Sequence, residues 1–213
     1  MSASDNSSHY QDKKPYPIRF DIEYSEKLSR LTTLFRLILV IPIFVLMLSV
    51  GGGIVVHKAN MVIGGGGMLF LGPLLMILFR KRYPRWWFDW NVAFAAFTQR
   101  IVSYFYCLTD QYPSVEAQQK VHVEIDYPQP ESLMRGMPLV KWILAIPHFI
   151  VLLVLAIITY VVLILGWISV IIIGRYPRPL FNYMVGYMRW ALRVIGYCFL
   201  LVTDIYPPFS FKP

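Results

Sequence analysis

Two short stretches of the chain alternate between apolar and polar side chains with a period of two. The first runs from Pro17 to Tyr24 and the second from Val121 to Tyr127. Alternation over this length predicts a half-buried strand, with one face on a core and the other in water. Because an isolated strand leaves its backbone groups unpaired, we expect both strands to join one small sheet outside the bilayer.

A long apolar block follows the first predicted strand, at residues 37–79, and its main polar interruption is His57–Asn60. A transmembrane helix needs about 20 residues to cross the hydrocarbon. We therefore predict two spans, about residues 34–56 and 61–79, joined by a turn at the polar interruption. Glycines on both sides of this turn indicate either close helix packing or a flexible boundary.

A second apolar block, Trp142–Ile173, has 32 residues without a charged side chain. Two ideal spans would need about 40 residues, and one helix of this length would reach nearly 50 Å. We predict two short spans here, and the alternative is a segment that dips into the membrane and returns. Pro42 and Pro147 occupy matching places near the start of the two blocks, where we expect each to bend a helix.

Each apolar block is followed by a basic turn and an aromatic-rich helical pattern. The turns Arg82–Arg85 and Arg175–Arg178 both read Arg-Tyr-Pro-Arg, and a Thr-Asp-x-Tyr-Pro motif with Asp110 or Asp204 closes each pattern, one residue later in the second copy. Matching passages predict a tandem duplication. The predicted divisions are a disordered tail at 1–14, repeat 1 at 15–115 and repeat 2 at 116–213.

The aromatic helices, about residues 86–108 and 179–202, carry their charges on one face. Arg189 and Arg193 are four residues apart and share that face, while the opposite side is apolar. This pattern is typical of a helix that lies on a membrane surface. The residues predicted to anchor these helices at the interface are Trp86, Trp87, Trp90, Arg100, Arg189, Trp190 and Arg193.

Composition supports a membrane protein, because 57% of the residues are hydrophobic and 15% are charged, against about 25% charged in an ordinary soluble domain. The chain has 20 Lys and Arg against 12 Asp and Glu. If the aromatic helices stay on one side, 19 of the 20 basic residues face the cytoplasm and only Lys58 lies outside, as the positive-inside tendency favours. The predicted fold is mainly α and integral to the cytoplasmic (inner) membrane, with four spans, a small cytosolic β element and both termini cytosolic.

Four motifs of the second copy resemble an uncharacterised family of bacterial membrane proteins, domain of unknown function 4389. They are the Ile-Pro-His-Phe run at Ile146, the Gly-Arg-Tyr-Pro-Arg turn at Gly174, the Trp-Ala-Leu-Arg-Val segment at Trp190 and the closing motif at Thr203. The resemblance covers Val121–Phe209 well and the first copy more loosely. It implies a bacterial or archaeal inner-membrane protein and transfers no catalytic residue.

Candidate chemistry is sparse, and the chain shows no spacing typical of an enzyme, a metal site or a cofactor site. Cys107 and Cys198 lie in apolar helical stretches, where buried thiols are expected. His148 is interpreted as a packed histidine or, alternatively, a proton relay. The matched Asp110 and Asp204 are interpreted as turn residues bonded to nearby backbone, or as ion-pair partners of Arg85 or Arg178.

Two function classes remain. The first is a non-catalytic membrane module that binds anionic lipid, scaffolds a partner or bends the bilayer, and the second is a transporter or channel subunit for a hydrophobic or lipid substrate. The second is disfavoured because the predicted spans hold almost no ionisable groups. Membrane lipids are the predicted partners, with a membrane protein or a second copy as further candidates, and scattered basic residues disfavour nucleic acid. The basic turns are interpreted as stop-transfer clusters that fix the orientation of the chain or, alternatively, as binding sites for anionic headgroups. The predicted headgroup contacts are Arg80, Lys81, Arg82, Arg85, Arg175 and Arg178.

Overall fold

The computed structural model describes residues 15–51, 54–57, 60–63, 66–115, 117 and 119–213, with side chains described outside 49–70. The predicted tail at 1–14 lies outside the described residues. The described chain is mainly helical and has two small sheets.

The two predicted strands pair with each other. Strand β1, Ile18–Ile22, runs antiparallel to β4, Val121–Ile125, with Ile18 opposite Ile125. The apolar side chains of β1 are buried and Asp21 is exposed, as the alternation predicts. The prediction that both strands join one sheet is therefore confirmed.

The first apolar block forms two helices separated by a strand hairpin. Helix α1 covers Arg30–Gly51, β2 (Ile54–His57) pairs with β3 (Asn60–Ile63), and α2 covers Gly66–Arg80. With 15 residues, α2 reaches about 22 Å, less than the roughly 30 Å of bilayer hydrocarbon. The predicted span at 61–79 is thus shorter than a crossing requires.

The second apolar block contradicts the prediction of two short spans. A short helix α4, Met137–Leu144, is followed by α5, Ile146–Ile173, which is continuous over 28 residues. After Ala145, which separates α4 from α5, the helix continues without a break to Gly174, whose φ of 80° closes α5. Pro147 lies in the first turn of α5, where a missing N–H costs little. Of the two matched prolines, Pro42 is therefore the one that is interior to its helix.

The aromatic patterns form α3, Arg85–Phe105, and α6, Arg178–Ile195. Helix α3 packs against α1 and β4, whereas α6 packs against α5 and β1. The molecule therefore has an outer layer of apolar helices, a middle layer of aromatic helices and a sheet on top. The largest buried cluster joins the sheet to the middle layer and includes Ile18, Phe20, Ile22, Met184 and Met188.

Backbone conformation repeats at the matched motifs. Among the described residues, positive φ angles occur at Lys81 (53°) and Gly174 (80°), which precede the two basic turns, and at Cys107 (60°) and Leu201 (56°), which precede the two Thr-Asp motifs. The second Thr-Asp motif lies one residue further from its basic turn than the first does, and a π-helical turn, Gly196–Leu200, precedes it. Such a turn is the usual way for a helix to accommodate one inserted residue.

Candidate functional site

The two basic turns each bury their tyrosine and expose their arginines. Tyr83 and Tyr176 are buried, while Arg82, Arg85 and Arg175 are exposed. The Tyr176 hydroxyl donates to the Val162 carbonyl at 3.4 Å, and burial raises the pKa of both tyrosines. The buried rings fix the turns, so that the guanidinium groups project outward.

Each turn also accepts a hydrogen bond from a tyrosine of the other predicted repeat, and this bond closes the turn. The hydroxyl of Tyr24, just after β1, donates to the Tyr176 carbonyl at 2.6 Å. The hydroxyl of Tyr127, just after β4, donates to the Tyr83 carbonyl. The guanidinium carbon of Arg178 lies 4.8 Å from the ring centre of Tyr24, and that of Arg85 lies 4.7 Å from the ring centre of Tyr127. These contacts hold two arginines in place by cation–π attraction.

A groove opens at each turn. The first arginine groove has a volume of about 460 Å³ and is lined by Met76, Arg80, Arg82, Tyr83, Pro84, Arg85, Tyr127 and Pro130. The second arginine groove, about 470 Å³, is lined by Tyr24, Glu26, Lys27, Ile173, Gly174, Arg175 and Arg178. The predicted headgroup arginines thus fall into two separate sites, and Lys81 is in neither lining.

The two grooves differ in charge. None of the described lining residues of the first groove is acidic, whereas the second contains Glu26, 3.8 Å from Arg178. Arg85 has an exposed ion pair with Asp89 at 3.3 Å. Exposed pairs of this kind are worth at most about 1 kcal/mol, so the guanidinium groups remain available to a phosphate, which they bind in bidentate geometry.

Two tryptophans lie on the surface beside the first groove. The exposed fraction is 70% for Trp86 and 38% for Trp90, and Trp90 stacks on Phe94 with ring centres 5.4 Å apart. Trp87 is different, because its ring packs against Gly72, where a Cβ atom would overlap it. Trp86 and Trp90 can therefore enter a headgroup region, while Trp87 joins α2 to α3.

The polar face of α6 is buried, which corrects the prediction that it lies at the membrane interface. The exposed fraction is 8% for Arg189, 5% for Trp190 and 2% for Arg193. Arg189 donates from Nε to the Phe20 carbonyl at 2.7 Å and from Nη1 to the Phe211 carbonyl at 2.6 Å. Burial lowers the pKa of both arginines. These side chains attach α6 to the sheet.

Arg100 and His148 also contact protein. Arg100 is half-buried, and its Nη1 donates to the Ser114 carbonyl at 2.7 Å. His148 is buried, accepts a hydrogen bond from Trp190 Nε1 at 3.1 Å and stacks on Phe209 with ring centres 3.8 Å apart. This arrangement favours the interpretation of His148 as a packed histidine.

The matched aspartates pair with two cations that the sequence analysis missed. Asp110 pairs with buried Arg36, and Asp204 pairs with buried Lys141 at 2.8 Å. The prediction of Arg85 or Arg178 as partner is wrong, because each begins the aromatic helix that the aspartate follows, roughly 25–30 Å away. A signal existed, since both cations stand six residues before the matched prolines.

The surroundings of both pairs are the same. Each carboxylate also accepts from a backbone N–H, that of Ser29 at 2.5 Å for Asp110 and that of Met134 at 2.6 Å for Asp204. Each cation donates to the carbonyl of the threonine before the aspartate, at 3.0 Å for Arg36 and 2.7 Å for Lys141. The aspartates therefore bond to backbone that is distant in the sequence.

The thiols are buried and poorly reactive. Burial raises the pKa of Cys107 to about 12 and that of Cys198 to about 11. A thiol that stays protonated is a weak nucleophile and a weak metal ligand. Within the described part of the chain, no group of three or more His, Cys, Asp or Glu side chains is placed to hold a metal ion.

Residues 137–210 match the family model of a domain of unknown function, DUF4389. No curated protein and no solved structure matches the chain. The matched region includes α4, α5, α6, the second basic turn and the Lys141–Asp204 pair. Among the described helices, Arg30–Leu48 and Ile146–Ile173 are long and apolar enough to cross a membrane. The four spans predicted from the sequence are therefore not supported.

Proposed function

We propose that the chain is a non-catalytic membrane module that binds anionic lipid headgroups in its two arginine grooves. The observation that carries this proposal is the matched pair of exposed guanidinium clusters at the two basic turns. Each cluster follows directly on an apolar helix, α2 or α5. A headgroup phosphate bound there would keep its acyl chains beside apolar side chains.

Membrane association is supported by the surface of the apolar helices. Large apolar side chains are exposed along α1 and α5, including Ile38, Phe44, Leu153 and Ile157. A soluble monomer rarely exposes a contiguous apolar patch larger than a few hundred Å². The surplus of basic residues favours the anionic cytoplasmic face of an inner membrane, with both termini on that side.

We also propose that the chain is a tandem duplication. The support is the recurrence of one set of contacts at matched positions: the left-handed residue before each basic turn, the tyrosine that closes the turn, and the acid–cation pair at the end. The pairing of β1 with β4 then joins the two repeats about an approximate two-fold axis. Two binding sites for one headgroup class are what such a duplication would provide.

The test compares three double variants that each remove two positive charges. They are Arg82→Gln/Arg85→Gln in the first groove, Arg175→Gln/Arg178→Gln in the second, and Arg135→Gln/Lys212→Gln, an exposed control pair outside both linings. Native mass spectrometry in nonionic detergent counts the phosphatidylglycerol molecules retained, with phosphatidylcholine as the neutral reference. At about 1 kcal/mol per basic residue, each groove variant should weaken phosphatidylglycerol binding at its own groove roughly thirty-fold, so that fewer lipid molecules are retained while the other groove is unaffected.

The control variant should retain lipid like the parent protein. Combining the two groove variants should abolish the preference for phosphatidylglycerol over phosphatidylcholine. An unchanged preference in the combined variant would overturn the proposed headgroup sites. Vesicle flotation of the same proteins then tests whether membrane attachment itself depends on the grooves.

A further inference from the structure

Helix α5 runs antiparallel along α6. Near the start of α6, Tyr183 donates to the Leu155 carbonyl at 3.1 Å. Two turns later, Trp190 contacts His148. Beyond the helix end, the Cys198 carbonyl accepts from Trp142 Nε1 at 3.0 Å. Residue numbers in these contacts rise along α6 while they fall along the α4–α5 segment. A series of this kind requires nearly parallel helix axes that run in opposite directions.

Helix α6 in turn runs antiparallel along β1. The ring of Phe181 lies 5.0 Å from that of Tyr24, Arg189 donates to the Phe20 carbonyl, and Arg193 lies 5.6 Å from the ring centre of Tyr16. The strand, the aromatic helix and the apolar helix are therefore aligned.

The α4–α5 segment runs alongside the Tyr16–Leu28 segment, which contains β1, and their ends lie close together. The Gly174 carbonyl, at the end of α5, accepts from Leu28 N at 2.9 Å. At the other end, Asp204 pairs with Lys141, and the adjacent Ile205 carbonyl accepts from Tyr16 at 3.1 Å.

The first half of the chain has the same alignment. Arg36 donates to the Tyr104 carbonyl. Two turns further along α1, Ile43 packs with Phe97 and Ile101, so α1 runs antiparallel along α3. At the other end of α3, Phe88 packs edge-on against Tyr127 with ring centres 5.0 Å apart. Helix α1 therefore also lies parallel to the sheet layer, at least as far as Ile43.

This alignment decides how the molecule can sit in a bilayer. The outer face of the sheet is charged, with Asp21, Glu23, His122, Glu124 and Asp126 exposed. If α5 crossed the hydrocarbon, the sheet alongside it would have to cross as well. Charges inside the hydrocarbon cost about 2.5–3.5 kcal/mol each on insertion scales, so a crossing orientation is strongly unfavourable.

We propose that α1 and α5 lie along the membrane plane, sunk into one leaflet, with the sheet facing water. This proposal rests on the membrane association proposed above. Their exposed side chains then contact acyl chains along the whole helix, as in other monotopic attachments. The two arginine grooves lie at opposite ends of the sheet, because Tyr127 and Tyr24 follow opposite strand ends. In this orientation both grooves face the headgroups of the same leaflet.

Depth measurements along α5 test the orientation. Ile150, Ile157, Ile164 and Ile171 are all exposed, and their seven-residue spacing places them on one face of the helix. Each is replaced by cysteine in a Cys107→Ala/Cys198→Ala background and labelled with a nitrobenzoxadiazole fluorophore. In phosphatidylcholine–phosphatidylglycerol vesicles, lipids with nitroxides at shallow and deep acyl positions quench the label according to its depth.

We expect the same depth at all four positions, and no quenching of a label at Glu124→Cys on the sheet. Deep labels at 157 and 164 with shallow labels at 150 and 171 would overturn the in-plane orientation and leave headgroup binding intact. Absence of quenching at all four positions would overturn membrane association as well. Polarised infrared spectroscopy of the unmodified protein in oriented bilayers provides a second measurement, because in-plane and crossing helices give opposite amide dichroism.

Discussion

Lys81 occupies a backbone conformation that costs energy for any residue with a Cβ atom. Its φ of 53° ends α2, and its counterpart Gly174 ends α5 with a φ of 80°. Glycine adopts this region without a steric penalty. We expect Lys81→Gly to be more stable than Lys81→Ala by about 0.5–1 kcal/mol, measured by thermal unfolding in nonionic detergent.

The alanine variant is the matched control, because both substitutions remove the same charge and the same side chain. The reciprocal change, Gly174→Ala, should destabilise the protein by a comparable amount. If Lys81→Gly were no more stable than Lys81→Ala, the left-handed conformation at the end of α2 would be in doubt.

The Lys141–Asp204 pair makes stability depend on pH. Burial lowers the pKa of Lys141, and the Asp204 carboxylate opposes that shift. In the pH range between the lowered value and the unfolded value of 10.5, the unfolded chain binds more protons than the folded one. Stability therefore rises with pH across this range and is lost as pH falls through the folded pKa of Lys141.

Asp204→Asn should enlarge this effect. It leaves a buried ammonium without its countercharge, which costs about 3–5 kcal/mol at neutral pH, while the amide oxygen can still accept from Met134 N. The folded pKa of Lys141 then falls further, so the range below pH 10.5 in which stability has a positive slope against pH becomes wider and the total rise becomes larger. Chemical denaturation at a series of pH values measures this slope.

Asp110→Asn is the matched control for the pH effect. Its cation is Arg36, and a guanidinium keeps its charge over the whole accessible range. We expect a similar loss of stability at neutral pH and no additional dependence of stability on pH. Equal slopes in the two variants would show that Lys141 does not titrate in the folded state.

At the scale of elements, the contact between α5 and the second basic turn depends on the missing side chain of Gly166. A Cβ atom there would overlap the ring of Tyr176. Gly166→Ala should therefore displace the turn and destabilise the protein by about 1–3 kcal/mol, despite the higher helix propensity of alanine. Thermal unfolding measures the loss.

Gly136→Ala is the comparison for Gly166→Ala, because nothing lies within 4 Å of its Cβ position. It should change stability by less than about 0.5 kcal/mol. A neutral Gly166→Ala would mean that the basic turn is not seated against α5. Lipid retention should fall in Gly166→Ala as well, because displacement of Tyr176 moves Arg175 and Arg178.

Local patterns predict some of these elements well and others poorly. The strands β1 and β4 follow from alternation, because one face of each is buried and the other meets water. The hydrophobic run that forms α5 has no comparable signal, since run length alone does not distinguish one long helix from two short ones. The first strong helix terminator after Pro147 is Gly174. Only the structure shows that α5 is continuous up to that point.

The charged face of α6 was misinterpreted for a related reason. A helix with Arg189 and Arg193 on one side has the same pattern whether that side meets water, headgroups or the backbone of a strand. Here it meets the Phe20 carbonyl, a partner that lies 169 residues away in the chain. Lys141 and Arg36 were missed because single cations at the edge of an apolar run resemble ordinary helix flanks. The arginines of the basic turns are exposed, while their role as headgroup contacts stays a prediction.

At the scale of the whole molecule, the two predicted repeats are joined by reciprocal contacts. Strand β1 pairs with β4, Tyr24 and Tyr127 each close the other repeat's basic turn, and Trp167 donates to the Phe105 carbonyl at 3.2 Å. Residues 1–115 and 116–213, expressed together as two separate chains, should therefore assemble and co-purify through a tag on one of them.

Each fragment alone would leave an unpaired strand edge and an unclosed turn, so we expect either to aggregate. In the two-chain form, Tyr24→Phe with Tyr127→Phe removes two hydrogen bonds across the junction, worth about 1 kcal/mol each, and should reduce co-purification roughly thirty-fold at limiting concentration. Tyr160→Phe, at an exposed position on α5, should leave assembly unchanged. Fragments that fold separately and do not bind each other would contradict the reciprocal architecture. Because the grooves are closed by tyrosines from opposite repeats, that result would also remove the structural basis for paired headgroup sites.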